Sequence, residues 1–157
     1  MNDFVLARVL HVIGVVLWIG GVAMVTTVLL PAAKRLATPA ERIAFFERVE
    51  HRFAAQARLT TLVTGLSGFY LAWRFDLWGR FADARFWWMH AMVAVWLLFT
   101  LVLFVLEPLV LHRWFSARAA RNPEGTFALV QRFHWLLLAL SVVTIAGAVA
   151  GSHGGWW

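Results

Sequence analysis

The sequence predicts an all-α integral membrane protein: a four-helix bundle running up, down, up and down, with both termini outside. Three observations carry this. The 157 residues are 62% hydrophobic with a mean hydropathy of +0.74, whereas soluble domains are nearer half apolar. The excess lies in four long runs, each able to cross about 30 Å of hydrocarbon as a helix. Basic residues crowd alternate loops, as they do in multi-pass proteins. One transmembrane domain, 1–157, accounts for the whole chain.

The first run spans about 4–30. It is too long for a signal-peptide core and has no clear cleavage site, so it reads as a retained helix. Thr38-Pro39-Ala40-Glu41 then combines an N-cap, a proline at the first helical position and a capping box. It opens a charged amphipathic extension, about 39–52, which continues into the second run, about 53–73. Gly65-Leu66-Ser67-Gly68 within that run reads as a close-packing surface. The third run is about 86–111. Asn122-Pro123-Glu124-Gly125 reads as a turn, and the fourth run is about 133–151.

Charge sets the expected orientation. Loop one and the start of helix two hold Lys34, Arg35, Arg42, Arg48, Arg52 and Arg58; loop three and its flanks hold Arg113, Arg118, Arg121 and Arg132. These ten face four on the other side: Arg8, Arg74, Arg80 and Arg85. The positive-inside rule puts the richer loops in the cytoplasm of a bacterial inner membrane. Trp73, Trp78, Trp87, Trp88, Trp156 and Trp157 map to the outer side, where tryptophan anchors helix ends among head groups.

Composition excludes several classes. Cysteine is absent, which removes disulfides, iron–sulfur clusters and thiolate zinc sites. The net charge of +6 flanks hydrophobic segments without forming a tract. It fits anionic lipid head groups rather than nucleic acid. There is no phosphate-binding glycine loop, no GxSxG elbow and no HExxH.

Histidine is the informative residue. His11, His51, His90 and His134 stand near the N-terminal ends of the four runs. Imidazole is costly to bury in lipid without a partner, and neutral imidazole is the commonest metal ligand. Alternating direction sorts them into two tiers, His11 with His90 and His51 with His134. The outer pair is expected to ligate haem b through both histidines. His11, Gly14, Trp18 and Gly21 share one helical stripe, and glycine there would let a flat macrocycle approach the backbone. The inner pair is the candidate for a second haem, with His112 at the end of the third run on the same side. Arg8, Arg58 and Arg85 are candidates to grip a propionate in two-pronged fashion. Glu107, followed by Pro108, is the acidic residue inside an apolar run; it needs a counter-charge, and Arg58 is the natural partner. Copper is the alternative metal, because Met89-His90-Ala91-Met92 carries soft donors. Helix geometry turns His90 away from Met92, however. His153 could add an outer ligand.

The first run, Leu10-His11-Val12-Ile13-Gly14-Val15-Val16-Leu17-Trp18-Ile19-Gly20-Gly21, resembles the opening of CopD-type copper-resistance membrane proteins. It is also similar to that of HemJ-type protoporphyrinogen oxidases, small four-helix proteins that bind haem b. Chain length and helix count resemble the HemJ type over most of the chain. That resemblance implies a membrane oxidoreductase in which His11 is the required first-helix histidine. HemJ-type proteins carry a lysine in the third helix; here the region reads Trp88-Met89-His90, and Lys34 is the only lysine. The departure points to ligation by His90 rather than to porphyrinogen oxidation. The CopD resemblance implies copper uptake. The expected function is therefore a haem b redox protein of the inner membrane, acting in electron transfer or haem-dependent oxidation. Quinone or another redox protein would be its partner, and self-association is left open. A copper-handling protein and a cofactor-free structural or assembly subunit are the alternatives.

Overall fold

The computed structural model describes residues 2–36 and 38–154, apart from the side chains of Ala40 and His112. It is all-helical, with no strand among the described residues. Helix α1 (Asp3–Met24) passes through a π-helical turn, Val25–Leu29, into the short α2 (Leu30–Ala33). Helix α3 (Pro39–Arg74) follows. Two 3-10 turns, Leu77–Ala82 and Ala84–Phe86, lead into α4 (Trp87–Leu101). That helix runs on through a π-helical stretch, Val102–Leu111, into α5 (His112–Arg121). Helix α6 (Pro123–Ser152) ends the fold.

The helix boundaries have local causes. At the start of α3 the Thr38 hydroxyl accepts the Glu41 N–H at 3.2 Å, and the Glu41 carboxylate accepts the Thr38 N–H at 3.0 Å. The capping box written in the sequence is thus formed, and α3 is one helix from the amphipathic extension to Arg74. It ends before Asp76, which adopts a left-handed backbone (φ 49°), a conformation that aspartate tolerates better than most residues. Helix α6 starts at 123 rather than 133. Asn122 caps it by accepting the Gly125 N–H at 2.9 Å, and Pro123 takes the first position, where a missing N–H costs nothing. The apolar pattern marks the crossing, whereas the cap marks the helix start. The loop before it also holds a helix, α5, whose apolar face buries Phe115 and Ala119.

Among the described residues, three stretches are long and apolar enough to cross a membrane: Asp3–Ala33, Ala84–Leu111 and Pro123–Ser152. Helix α3 was expected to be a fourth, but polar residues dilute its hydropathy. Those residues are turned inward. Thr60, Thr61, Thr64 and Ser67 are buried, while Leu59, Leu62, Leu66 and Phe69 are exposed. Apolar outside and polar inside suits a lipid solvent, where hydroxyls are best kept among helices.

Helices α1 and α3 lie antiparallel. Asp3 meets the Tyr70 hydroxyl at 2.6 Å, His11 meets Thr64, and Gln56 reaches the Leu17 carbonyl. Gly21 lies against the Phe53 ring. Helices α4 and α6 also close on glycine, with Trp87 over Gly147 and Trp88 over Gly151. A central core joins α1, α3, α4 and α6 through Trp18, Val22, Ala57, Phe99 and Leu137; Trp18 meets Phe99 edge-on at 4.8 Å. A second core holds the α3 extension against α5 and the start of α6, with Phe46 5.0 Å from Phe115 and 5.8 Å from Phe127. Of the tryptophans expected at the outer boundary, Trp73, Trp78 and Trp87 are exposed, whereas Trp88 is buried. Trp88 fills the space that Gly151 leaves, so packing claims it instead of the head groups. Trp156 and Trp157 lie outside the described residues.

Candidate functional site

His11 sits on the half-buried face of α1 that meets α3. Its Nδ1 lies 2.9 Å from the Thr64 carbonyl oxygen, with the Ser67 hydroxyl at 3.3 Å. A carbonyl only accepts, so Nδ1 carries the proton and Nε2 keeps its lone pair. Gly68 lies beneath the ring: a Cβ there would fall 2.9 Å from Cε1.

The glycines of the same stripe have other neighbours. Gly14 abuts Thr64 and the Thr60 backbone, and Gly21 abuts Phe53. Both serve the close approach of α1 to α3. Trp18, between them, is 3% exposed.

His90 is exposed on α4 and belongs to a different neighbourhood. Its Nε2–H donates to the Phe81 carbonyl at 3.0 Å, and its ring meets the Phe81 ring edge-on at 5.3 Å. The free nitrogen is therefore Nδ1. Phe81, Ala82, Ala84, Trp87 and His90 line an open groove where the 3-10 turns fold against α4. The partners of His11 come from α3, and the hydrogen-bond partner of His90 comes from the 77–82 turn. Met89 is buried while His90 is exposed, so the two residues diverge as helix geometry requires. His153, also exposed, has Nδ1 2.8 Å from the Val149 carbonyl.

Of the second expected pair, His134 is half-buried on α6 and donates Nδ1–H to the Val130 carbonyl at 2.9 Å. It lines a small cavity with Val25, Leu29, Phe46, Glu50 and Phe53. His51, next to Glu50 in the chain, is exposed on α3. His112 opens α5; its side chain is outside the described residues. Among the described residues no three histidine or carboxylate side chains converge as a metal-binding group. A pair of axial histidines does not need three.

The arginines differ in their engagement. Arg58 pairs with Glu107, as the sequence led us to expect, and its Nε–H also donates to the Leu103 carbonyl at 3.0 Å. Arg85 grips Asp83 through Nη2 at 2.6 Å and Nε at 2.9 Å. That guanidinium, followed by the Arg85 backbone N–H, holds the Asp83 carboxyl below its ordinary value. Arg8 is exposed at the start of α1, 6.0 Å from the centre of the Phe75 ring.

Sequence reasoning passed over several polar contacts. Trp96 donates its indole N–H to the Thr61 carbonyl at 3.0 Å, and Gln131 donates to the Thr26 carbonyl at 2.7 Å. Trp18 Nε1, Thr61 Oγ1, Thr64 Oγ1 and Gln131 Oε1 are buried without a partner among the described residues. A glutamine beside an apolar run invites a search for its partner; which backbone group it serves is set by the fold.

No known protein family, no curated protein and no solved structure matches this chain.

Proposed function

We propose that this chain is an up-down-up-down four-helix bundle of a bacterial inner membrane, with both termini outside, that binds haem b and works in electron transfer or haem-dependent oxidation. The lead observation is the state of His11. Ligating histidines characteristically donate their other ring N–H to a carbonyl or carboxylate, which fixes tautomer and orientation. His11 donates from Nδ1 to Thr64 and keeps Nε2 for a metal. His134 is held the same way by Val130, and His90 by Phe81 with the opposite nitrogen left over.

Each of these side chains thus has donor chemistry suited to a haem iron, although His11 and His90 take their hydrogen-bond partners from different elements. The glycine stripe does not contribute, because Gly14 and Gly21 are occupied by α3. His11 and His90 are the proposed axial ligands, and His51 with His134 the proposed second pair. Arg8 is the best-placed of the arginines to meet a propionate, since Arg58 and Arg85 already hold carboxylates. Bound haem would supply one-electron redox chemistry, with quinone or another redox protein as partner. The residues of the chain would set ligand tautomer, charge and access.

A second reading is a structural membrane subunit without a cofactor. It is favoured by the same glycine packing, which gives the stripe a complete role in holding α1 to α3. Purification in mild detergent separates the readings. A Soret band that shifts on dithionite reduction supports haem, and its loss in His11→Ala and His90→Ala supports the ligand pair. A colourless protein carrying stoichiometric copper overturns haem in favour of the copper alternative. A colourless, metal-free protein that still folds leaves the structural subunit.

A further inference from the structure

Both π-helical segments contain or precede a proline, and in both the carbonyl that the proline abandons is met by a side chain from another helix. In a π-helix each N–H bonds to the carbonyl five residues earlier. The register is visible at the first segment, where the Leu30 N–H bonds to the Val25 carbonyl. The next residue is Pro31, which has no N–H. Its missing partner is the carbonyl of Thr26. Gln131 on α6 donates Nε2–H to that oxygen at 2.7 Å.

The second segment repeats the arrangement with different residues. Pro108 lies inside the π-helical stretch Val102–Leu111. Five residues earlier stands Leu103, and Arg58 on α3 donates its Nε–H to the Leu103 carbonyl at 3.0 Å. Thr26 is fully buried and Leu103 is 8% exposed. In such surroundings an unserved carbonyl is expensive, and water is not at hand to serve it.

We propose that Gln131 and Arg58 are latches on two proline hinges. Each restores from a neighbouring helix the one donor that proline removes, and so holds a wide-register turn in a single conformation. Releasing the latch frees the segment that follows. On the Gln131 side this has a place to act. Val25 and Leu29 of the hinge line the small cavity that His134 also lines, and His134 follows Gln131 by three residues, on the same side of α6. Release of Gln131 would let that wall move away from His134. The Arg58 latch also carries the pair with Glu107, so the ion pair and the backbone cap share one guanidinium. Neither latch requires a cofactor.

The test is a pair of double-mutant cycles on the full chain in detergent, read by melting temperature and by amide hydrogen exchange. Gln131→Leu in the otherwise unchanged protein should lower the melting temperature by roughly 5 °C and speed exchange within residues 26–31. In a Pro31→Ala background the backbone regains its own N–H, and the same substitution should cost little. Arg58→Lys, which keeps a positive charge for Glu107 but loses the Nε–H, should behave likewise with and without Pro108→Ala, with exchange changing within 103–108. If Gln131→Leu folds only beside Pro31→Ala, that rescue is the expected result in stronger form. Equal losses with and without the prolines, or failure to fold in both backgrounds, overturn the proposal.

Discussion

The imidazole of His11 reaches the Thr64 carbonyl of the neighbouring helix at 2.9 Å only because position 68 carries no side chain. A methyl group at Gly68 would lie 2.9 Å from His11 Cε1, so Gly68→Ala must push the ring from its carbonyl. The expected loss is about 1–3 kcal/mol, the usual result of overpacking. If the proposed haem is bound, its Soret band should shift or weaken with it. Gly20→Ala is the control, because a Cβ at Gly20 meets nothing within 4 Å. Thermal melts and optical spectra of the two variants check this; similar behaviour in both would show that Gly68 does not set the ring.

Glu107 and Arg58 form an ion pair in which the side chains are 18% and 33% exposed. Glu107→Gln keeps an acceptor but removes the charge, leaving a half-buried guanidinium without its counter-ion. The expected cost is about 1–3 kcal/mol, below that for a fully buried pair because solvent still reaches part of the arginine. Melting curves at low and high salt measure it. A loss that vanishes at high salt would place the pair in ordinary surface water and contradict its position between helices.

Much of this fold was legible because lipid writes a coarse pattern. Long apolar runs, the Thr38–Glu41 capping box and Asn122-Pro123 each act within a few residues, so the sequence displays them. The Arg58–Glu107 pair was legible for a related reason: an acid inside an apolar run demands a partner. What the runs concealed was which face each residue takes. Helix α3 has low hydropathy because it carries threonines, a serine, a glutamine and charged residues, and averaging along a window discards the fact that the threonines point inward. Gly14 and Gly21 looked like a cradle for a flat ligand; Thr64 and Phe53, from distant parts of the chain, occupy that side. Segment direction and depth pair His11 with His90, yet the two differ by partner. That difference arises because the 77–82 turn folds back on α4, and nothing periodic announces a 3-10 turn.

The inward threonines of α3 separate into two kinds. Thr60 donates to the Gln56 carbonyl at 2.9 Å, whereas the hydroxyls of Thr61 and Thr64 are buried without a partner among the described residues. Replacing a bonded hydroxyl by methyl loses about 0.5–1.5 kcal/mol, while replacing an unserved one is neutral or stabilising. Thr60→Val should therefore lower the melting temperature, and Thr61→Val and Thr64→Val should hold or raise it. Destabilisation in all three would show that the two orphan hydroxyls hold something, such as an internal water.

Asp83 and Arg85 give the fold a pH dependence of known sign. The Asp83 carboxyl accepts from the Arg85 guanidinium and from the Arg85 backbone N–H, and these hold it below the ordinary 3.8. A group whose value is lowered by folding stabilises the fold above its unfolded value and ceases to do so as pH falls through the folded one. The contribution of Asp83 should thus be complete near neutral pH and disappear in acid below the ordinary carboxylate range. Asp83→Asn removes the charge at every pH. Melts of the two proteins should differ near neutrality and converge in acid, with the wild type the more stable where they differ. A gap that persists unchanged into acid would mean that Asp83 acts at the head of the Ala84–Phe86 turn through its hydrogen bonds alone, since an asparagine carbonyl reproduces only part of them.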